Sequence, residues 1–241
     1  MTFEDLVKLY EQKRKIYGDK AYLHVSDLFA EIREEYKQEY LRGPRARTVR
    51  ASGGTPDAEQ SWKPFKGHNF EKLIMHIVRR EIESLGVGCI QGQQLERVYL
   101  PNPLDQLYRN LLVRFGPFAI LPDADLVIYE PDTARALGVI SCKTSLRERV
   151  AQTAYWKLKL SADPITTHVK GYFVTLDEDH DLAEGLQGVS SRKPGRRTSK
   201  RNRIIVEHEL DGTYVLGEVV ESDRVKGFPR LLDDVRRLVN G

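Results

Sequence analysis

Thiols are scarce. Cys89 and Cys142 are the two cysteines of the chain, with no metal-ligand spacing around either, so neither a disulfide framework nor a zinc-ribbon type of site is available. That usage points to a reducing, cytoplasmic setting. Apolar runs are short too: none approaches the roughly 20 residues that a membrane span needs. The opening "MTFEDLVKLYEQKRKIYGDK" lacks the apolar core of a secretory signal and reads as a polar helix, so no membrane partner is expected. Net charge is also small, +3 over 241 residues. With 40% hydrophobic and 30% charged residues the composition is that of a globular protein, and 241 residues suit one domain, or one domain with a helical annex, with a sizeable core.

What charge there is falls unevenly. "SRKPGRRTSKRNR" (191–203) holds seven Lys or Arg and no acid, and "LRGPRARTVR" (41–50) holds four arginines and no acid. Either run alone could be a solvated loop. Two of them suit a polyanion, whose phosphates release counterions when lysine and arginine neutralise them. Within the longer run, Arg192, Lys193, Arg196, Arg197, Lys200 and Arg201 are candidates for gripping a nucleic-acid backbone.

The pattern of apolar residues predicts helices over 3–17 and 26–41, the second capped by Ser26 or Asp27 and carrying Leu28, Ile32, Tyr36 and Tyr40 four residues apart. Residues 43–64, rich in Gly, Pro, Ser and Arg, read as a linker. The expected division is a helical region and linker over 1–61 and the main domain over 62–241. A strong helix is expected over 66–86, capped by Asn69, ended by Gly86 and buried through Leu73, Ile74, Ile77, Val78, Ile82 and Leu85. Glu71 projects from that apolar face, either as a first-turn acid favoured by the helix dipole or as a group reaching a metal. Then come strand-like "GCIQGQQLERVYL", helix-like "PLDQLYRNLLVRFG", and the strands "FAILPDADLVIYE", "ALGVISCK" and "HVKGYFVTLD". The helix "TSLRERVAQTAYWKLKL" separates the last two. "NRIIVEHEL" and "TYVLGEVV" suggest late strands paired around Asp211-Gly212, before a final helix "FPRLLDDVRRLVN". The class is α/β with a mixed sheet.

Chemistry concentrates between residues 117 and 156. If 126–129 and 137–142 are neighbouring strands, Asp123 or Asp125 begins one and Lys143 ends the other. Aspartate offers hard oxygen to a divalent cation, and magnesium favours one or two carboxylates plus water and a substrate phosphate. A lysine beside them can orient or deprotonate a water, or offset charge on a phosphorus transition state. Metal-assisted phosphodiester hydrolysis fits this set. A turn aspartate and a strand-end lysine is the plainer reading. The order of strand, carboxylates, strand, lysine and cationic helix, with the upstream Glu71, favours the chemical one.

Glu71, then Pro122-Asp123, then Ser141-Cys142-Lys143 resembles the PD-(D/E)XK nuclease superfamily. "SCKTSLRER" is similar to type II restriction endonucleases of the BsaWI, NgoMIV and EcoRII-like groups, which cut sites built on CCGG or on CC-GG with a central insertion. The resemblance covers about residues 66–176. It implies a PD-(D/E)XK core, a mixed central sheet flanked by helices, with an N-terminal helical annex. It also implies Mg2+ as cofactor, with Asp123 as principal metal ligand, Asp125 competing for that role, Lys143 as the motif lysine and Glu71 as the helical glutamate. Ser141 stands where an acid is expected two residues before the lysine. Members that share this serine supply a glutamate from the next helix, but here Tyr155, Trp156 and Lys157 occupy those positions. Glu71 is then the better second acid.

In such enzymes the Arg-Glu-Arg at the head of the helix reads G·C pairs. Arg147 and Arg149 can each present a fork to guanine O6 and N7, and Glu148 can accept from the cytosine amino group. Ser145 and Glu148 also fit a capping box, but the arginines gain nothing from capping, because positive charge opposes the dipole there. The implied protein is a homodimeric restriction endonuclease that cuts both strands of palindromic double-stranded DNA and leaves a 5′-phosphate. A companion DNA methyltransferase protects the same site. The rivals are a repair or junction-resolving nuclease of the same fold and a non-catalytic DNA-binding protein with a degenerate core.

Overall fold

In a computed structural model of the chain, the structure describes residues 2–146, 149–183 and 201–240. They form two compact units, Met1–Leu73 and Ile74–Gly241. The first is helical: α1 (Phe3–Tyr17), a 3-10 segment (Gly18–His24), α2 (Val25–Arg42), α3 (Pro44–Ala51) and the opening turns of α4 (Ala58–Ile82). Thr2 caps α1 in a full capping box with Asp5. Leu28 and Ile32 of α2 are buried, and Phe29, Tyr36, Trp62, Phe65 and Phe70 make an aromatic cluster with ring centroids 4.1–6.5 Å apart.

Three local readings need correction here. Residues 43–64 are not a linker: Pro44, suited to a first helical turn, opens α3, and α4 starts at Ala58. Neither Ser26 nor Asp27 caps α2, which continues from the preceding 3-10 turn with His24 at the cap position. Asn69 lies inside α4, where its amide donates to the Phe65 carbonyl at 2.8 Å, so backbone continuity outweighs its capping preference. The stop is as expected: a 3-10 turn leads to Gly86 in the left-handed region at φ 71°.

The second unit is built on a six-stranded sheet. In chain order its elements are β1 (Gly88–Gln91), α5 (Gly92–Leu95), α6 (Leu104–Leu111), β2 (Val113–Phe115), β3 (Phe118–Ile120) and β4 (Leu126–Glu130). There follow β5 (Arg135–Lys143), α7 (Arg149–Ala162), β6 (Lys170–Thr175), α8 (Arg201–Glu209), β7 (Gly212–Val215), β8 (Val225–Gly227) and α9 (Pro229–Asn240). The strand order is β1-β4-β5-β6-β7-β8, antiparallel as far as β5 and parallel from β5 onward. β2 and β3 form a separate hairpin. The mixed central sheet flanked by helices is the expected class. Val127 and Val139 pack with Leu160 of α7, and Phe173, Val215 and Val225 pack with Val150 and Ala154 of the same helix.

Residues 203–209 are helix rather than strand, and Arg203 is a buried strut whose contact with Glu207 four residues on suits a helix. Its guanidinium, 1% exposed, donates to Glu207 one turn on, and to the carbonyls of Leu182 and Val220 at 2.9 Å each. Asp211-Gly212 is accordingly not a hairpin turn. Asp211 accepts from Lys157 Nζ at 2.7 Å, Lys170 Nζ at 3.3 Å and the Gly171 N–H at 2.8 Å, and β7 leaves it parallel to β6. "GCIQGQQL" breaks after four strand residues because Gly92 turns the chain into α5. "FAILPDADLVIYE" divides into β3 and β4 around Pro122, which has no N–H for a ladder.

Two outcomes follow from this framework. Arg203→Ala leaves two carbonyls without their donor and Glu207 with the Ser222 hydroxyl but no countercharge, and lowers unfolding free energy by about 3–5 kcal/mol, measured by denaturant titration. Gly92 is irreplaceable for a steric reason, since a Cβ there would meet the Ala124 carbonyl oxygen at 1.9 Å. Gly92→Ala forces the 122–125 segment to move and lowers the thermal unfolding midpoint, measured by calorimetry.

Candidate active site

Asp125 precedes β4 and is held on all sides. Its N–H donates to the Ile140 carbonyl and its carbonyl accepts from the Gly92 N–H, both at 3.0 Å. The carboxylate Oδ2 accepts from the Cys142 N–H at 2.6 Å, and both oxygens accept from Lys143 Nζ, at 2.9 and 2.8 Å. Leu126 pairs with Ile140 and Val127 with Val139, so this register brings the start of β4 to the end of β5. The two side chains are 12% and 26% exposed. Attraction and desolvation nearly cancel in such a half-buried pair. Stability alone does not account for a lysine at the end of a core strand, whereas a carboxylate and an ammonium held at one point suit phosphodiester chemistry.

Asp123 is placed differently. Residues 121–125 are not in a strand, so alternation does not govern them. The exposed Asp123 accepts from Gln152 Nε2 on α7 at 2.5 Å, and Gln152 Oε1 accepts from Arg149 Nη1 at 3.1 Å. Of the two aspartates, Asp125 is the one paired with Lys143. Ser141, 7% exposed, sits across from Phe173 of β6. Cys142 is buried, as expected for a core thiol, and burial pushes the Cys89 thiol up to about 12.

The other expected residues divide into two groups. Glu71 lies half-buried on α4, in the first unit. Arg149 opens α7 and Arg201 opens α8, both exposed. Arg147, Glu148, Arg192, Lys193, Arg196, Arg197 and Lys200 lie outside the described residues, and with Glu148 the capping box on Ser145. Among the described residues no group of three or more His, Cys, Asp or Glu is placed to hold a metal. The donor brought to Lys143 here is the Asp125 carboxylate. It does not suit zinc, which wants four closed ligands, but it suits magnesium, which keeps waters and takes oxygen from a phosphate.

Two contributors went unread in the sequence. The Cys142 N–H acts through the backbone, which side-chain patterns do not report. Gly92 had a visible signal, a lone glycine ending a strand pattern, which marks close approach of another backbone.

Residues 104–234, more than half of the chain, match the family described as BsaWI restriction endonuclease type 2. A putative type II restriction enzyme of Methanocaldococcus jannaschii, MjaVIP, is 31% identical over 215 residues, covering 88% of this chain and 92% of its own. A probable type II restriction enzyme of Helicobacter pylori is 32% identical over 126 residues, 52% of this chain and 65% of that protein. Among solved structures, the pre-specific endonuclease BsaWI bound to DNA matches with a TM-score of 0.46 and 17% identity, over 100% of this chain and 93% of that one. The specific endonuclease AgeI bound to DNA matches with a TM-score of 0.48 and 15% identity, over 98% and 91% of the two chains. Family match and sequence identity agree with the paired Asp125 and Lys143: the chain belongs to the BsaWI family of type II restriction endonucleases, site-specific deoxyribonucleases.

Proposed function

We propose that this chain is an Mg2+-dependent restriction endonuclease that cuts both strands of a short palindromic DNA site containing CCGG or CC-GG. The observation that carries the reading is the Asp125–Lys143 pair at adjoining strand ends, 2.8 Å apart. Restriction enzymes of this superfamily generally use a divalent metal. Asp125 is the residue we assign to it. Bound there, the cation supplies Lewis-acid stabilisation of charge developing on the phosphate.

The chain's own groups do the rest. Asp125, tied through both backbone groups, has little freedom to leave the end of β5 before substrate arrives. Lys143, at the lip of the sheet, orients the attacking water and offsets charge on the phosphorane-like transition state. Water adds to phosphorus as the 3′ oxygen leaves, giving a 5′-phosphate and a 3′-hydroxyl. Arg147, Glu148 and Arg149 read the G·C pairs, while Arg192, Lys193, Arg196, Arg197, Lys200 and Arg201 hold the backbone, which positions the protein without specifying sequence. A palindrome asks for a two-fold protein, hence a homodimer. An active enzyme needs a companion methyltransferase on the same site and acts in the cytoplasm. No helix of the described residues is long and apolar enough to cross a membrane.

Incubation of plasmid with enzyme and Mg2+ is expected to give discrete fragments, abolished by EDTA. A smear instead marks a non-specific repair-type nuclease, and intact plasmid with retained binding marks a DNA-binding module. Lys143→Ala is expected to bind the mapped site with near wild-type affinity while cleavage falls about 100- to 10,000-fold, the usual worth of a proton-transfer group. Undiminished cleavage by that variant removes Lys143 from the chemistry.

A further inference from the structure

Gln152 lies on α7 one turn past Arg149, half-buried, with its amide between two oppositely charged groups. Nε2 donates to Asp123 Oδ2 at 2.5 Å, and Oε1 accepts from Arg149 Nη1 at 3.1 Å. The two ends of an amide are chemically distinct, one donating and one accepting. Turned over, it would set N–H groups against the guanidinium and a carbonyl against the carboxylate, so the flanking charges fix its orientation. Both bonds are charge-assisted, the stronger class. Asp123 in turn lies two residues before Asp125, whose backbone and carboxylate are bound to Gly92, Ile140, Cys142 and Lys143. The result is a series of hydrogen bonds from Arg149 through Gln152 to Asp123, joined by the backbone of residues 123–125 to the Asp125–Lys143 pair. A purely structural role explains it poorly: Arg149 and Asp123 are exposed, and exposed polar pairs contribute about 0–1 kcal/mol.

We propose that Gln152 is a positioning residue that couples base reading at the head of α7 to the alignment of Asp125 and Lys143. The inference rests on the reading of Arg149 as a guanine-contacting residue. A guanidinium is planar, and presenting two of its donors to O6 and N7 fixes that plane. The Gln152 amide, held at Oε1 by Nη1, then presents Nε2 to Asp123 in one direction, and the 123–125 segment is set. Opposite a wrong base pair the fork has no anchor, and the amide is free to leave Asp123. Discrimination then appears in turnover and not only in affinity.

The test uses the full chain and its mapped site, with kcat, KM and Kd measured on the cognate duplex and on duplexes altered at single base pairs. Gln152→Ala is expected to keep cognate affinity within about twofold while the ratio of cognate to altered-site kcat falls about tenfold, the worth of one charge-assisted hydrogen bond. Asp123→Ala should do the same, and the double variant should be no worse than either single one, because both break one series. Asp123→Asn keeps an acceptor for Nε2 and should recover most of the ratio lost in Asp123→Ala. Arg149→Ala should weaken cognate binding itself. Wild-type discrimination by Gln152→Ala overturns the coupling, as does additive loss in the double variant. An inactive Asp123→Asn with intact DNA binding also overturns it, by making the Asp123 charge itself catalytic. If Arg149→Ala binds cognate DNA normally, the base-reading role fails, and the coupling with it. Failure of the wild type to cut at discrete sites defeats the underlying functional reading instead, so the two failures are distinguishable.

Discussion

The pairing of β4 with β5 in one register is the constraint on which the site depends. Side chains alternate along a strand, so a slip of one residue would carry Ser141 and Lys143 to the opposite face and part the lysine from Asp125. Leu126 against Ile140, both fully buried, and Val127 against Val139 make that slip costly. The irregularity in this pair falls between Ile128 and Tyr129, toward the far end of the strands. A bulge there adds twist without disturbing the residues that hold the carboxylate. The Asp125 N–H to the Ile140 carbonyl extends the ladder one residue beyond the strand itself.

From β5 onward the parallel half of the sheet supplies the rigid floor. Lys143 stands at the carboxyl end of β5 beside the buried Thr175 of β6, and carboxyl ends of parallel strands are where open α/β sheets present their chemistry. α7, which covers this floor, is tied at two points. Gln152 holds it to Asp123 near its start, and Lys157 holds it to Asp211 and the Val169 carbonyl further on. Burial alone would raise the Asp211 carboxyl. The hydrogen bonds from Lys157 and the Gly171 N–H outweigh that and hold it below its ordinary range. Position 157, where the resemblance would have allowed a glutamate, is thus used to clasp the helix.

Much of this was legible in the sequence, and the failures share a cause. Short continuous apolar runs located β4, β5 and β6, and recurring apolar positions located α2, α7 and α9, because burial on both faces of a strand or one face of a helix imposes those patterns. The acidic strand start and the strand-end lysine followed from their order along the chain. Residues 203–209 misled because Ile204, Ile205 and Val206 look like a strand, whereas the guanidinium of Arg203 meets Glu207 one helical turn on. Asn69 misled because capping preference is local, while the continuation of α4 back to Ala58 is not. Which aspartate meets Lys143 was not readable, since alternation applies to strands and residues 121–125 are not in one.

α1 and α7 show how local rules and function part company. α1 obeys every local preference: a capping box, Glu4 and Asp5 in the first turn, Arg14 and Lys15 in the last. α7 has no acid in its first turn and opens on Arg149, against the dipole. The misplacement costs about 0.3–1 kcal/mol, which a helix buried through Val150, Ala154 and Leu160 tolerates easily. A cost that small leaves the arginine free to be kept there for another reason, and Gln152 and Asp123 take up its charge by a hydrogen-bonded route. An exposed first-turn arginine that costs little and is hydrogen-bonded through Gln152 to Asp123 is compatible with the recognition role proposed for it.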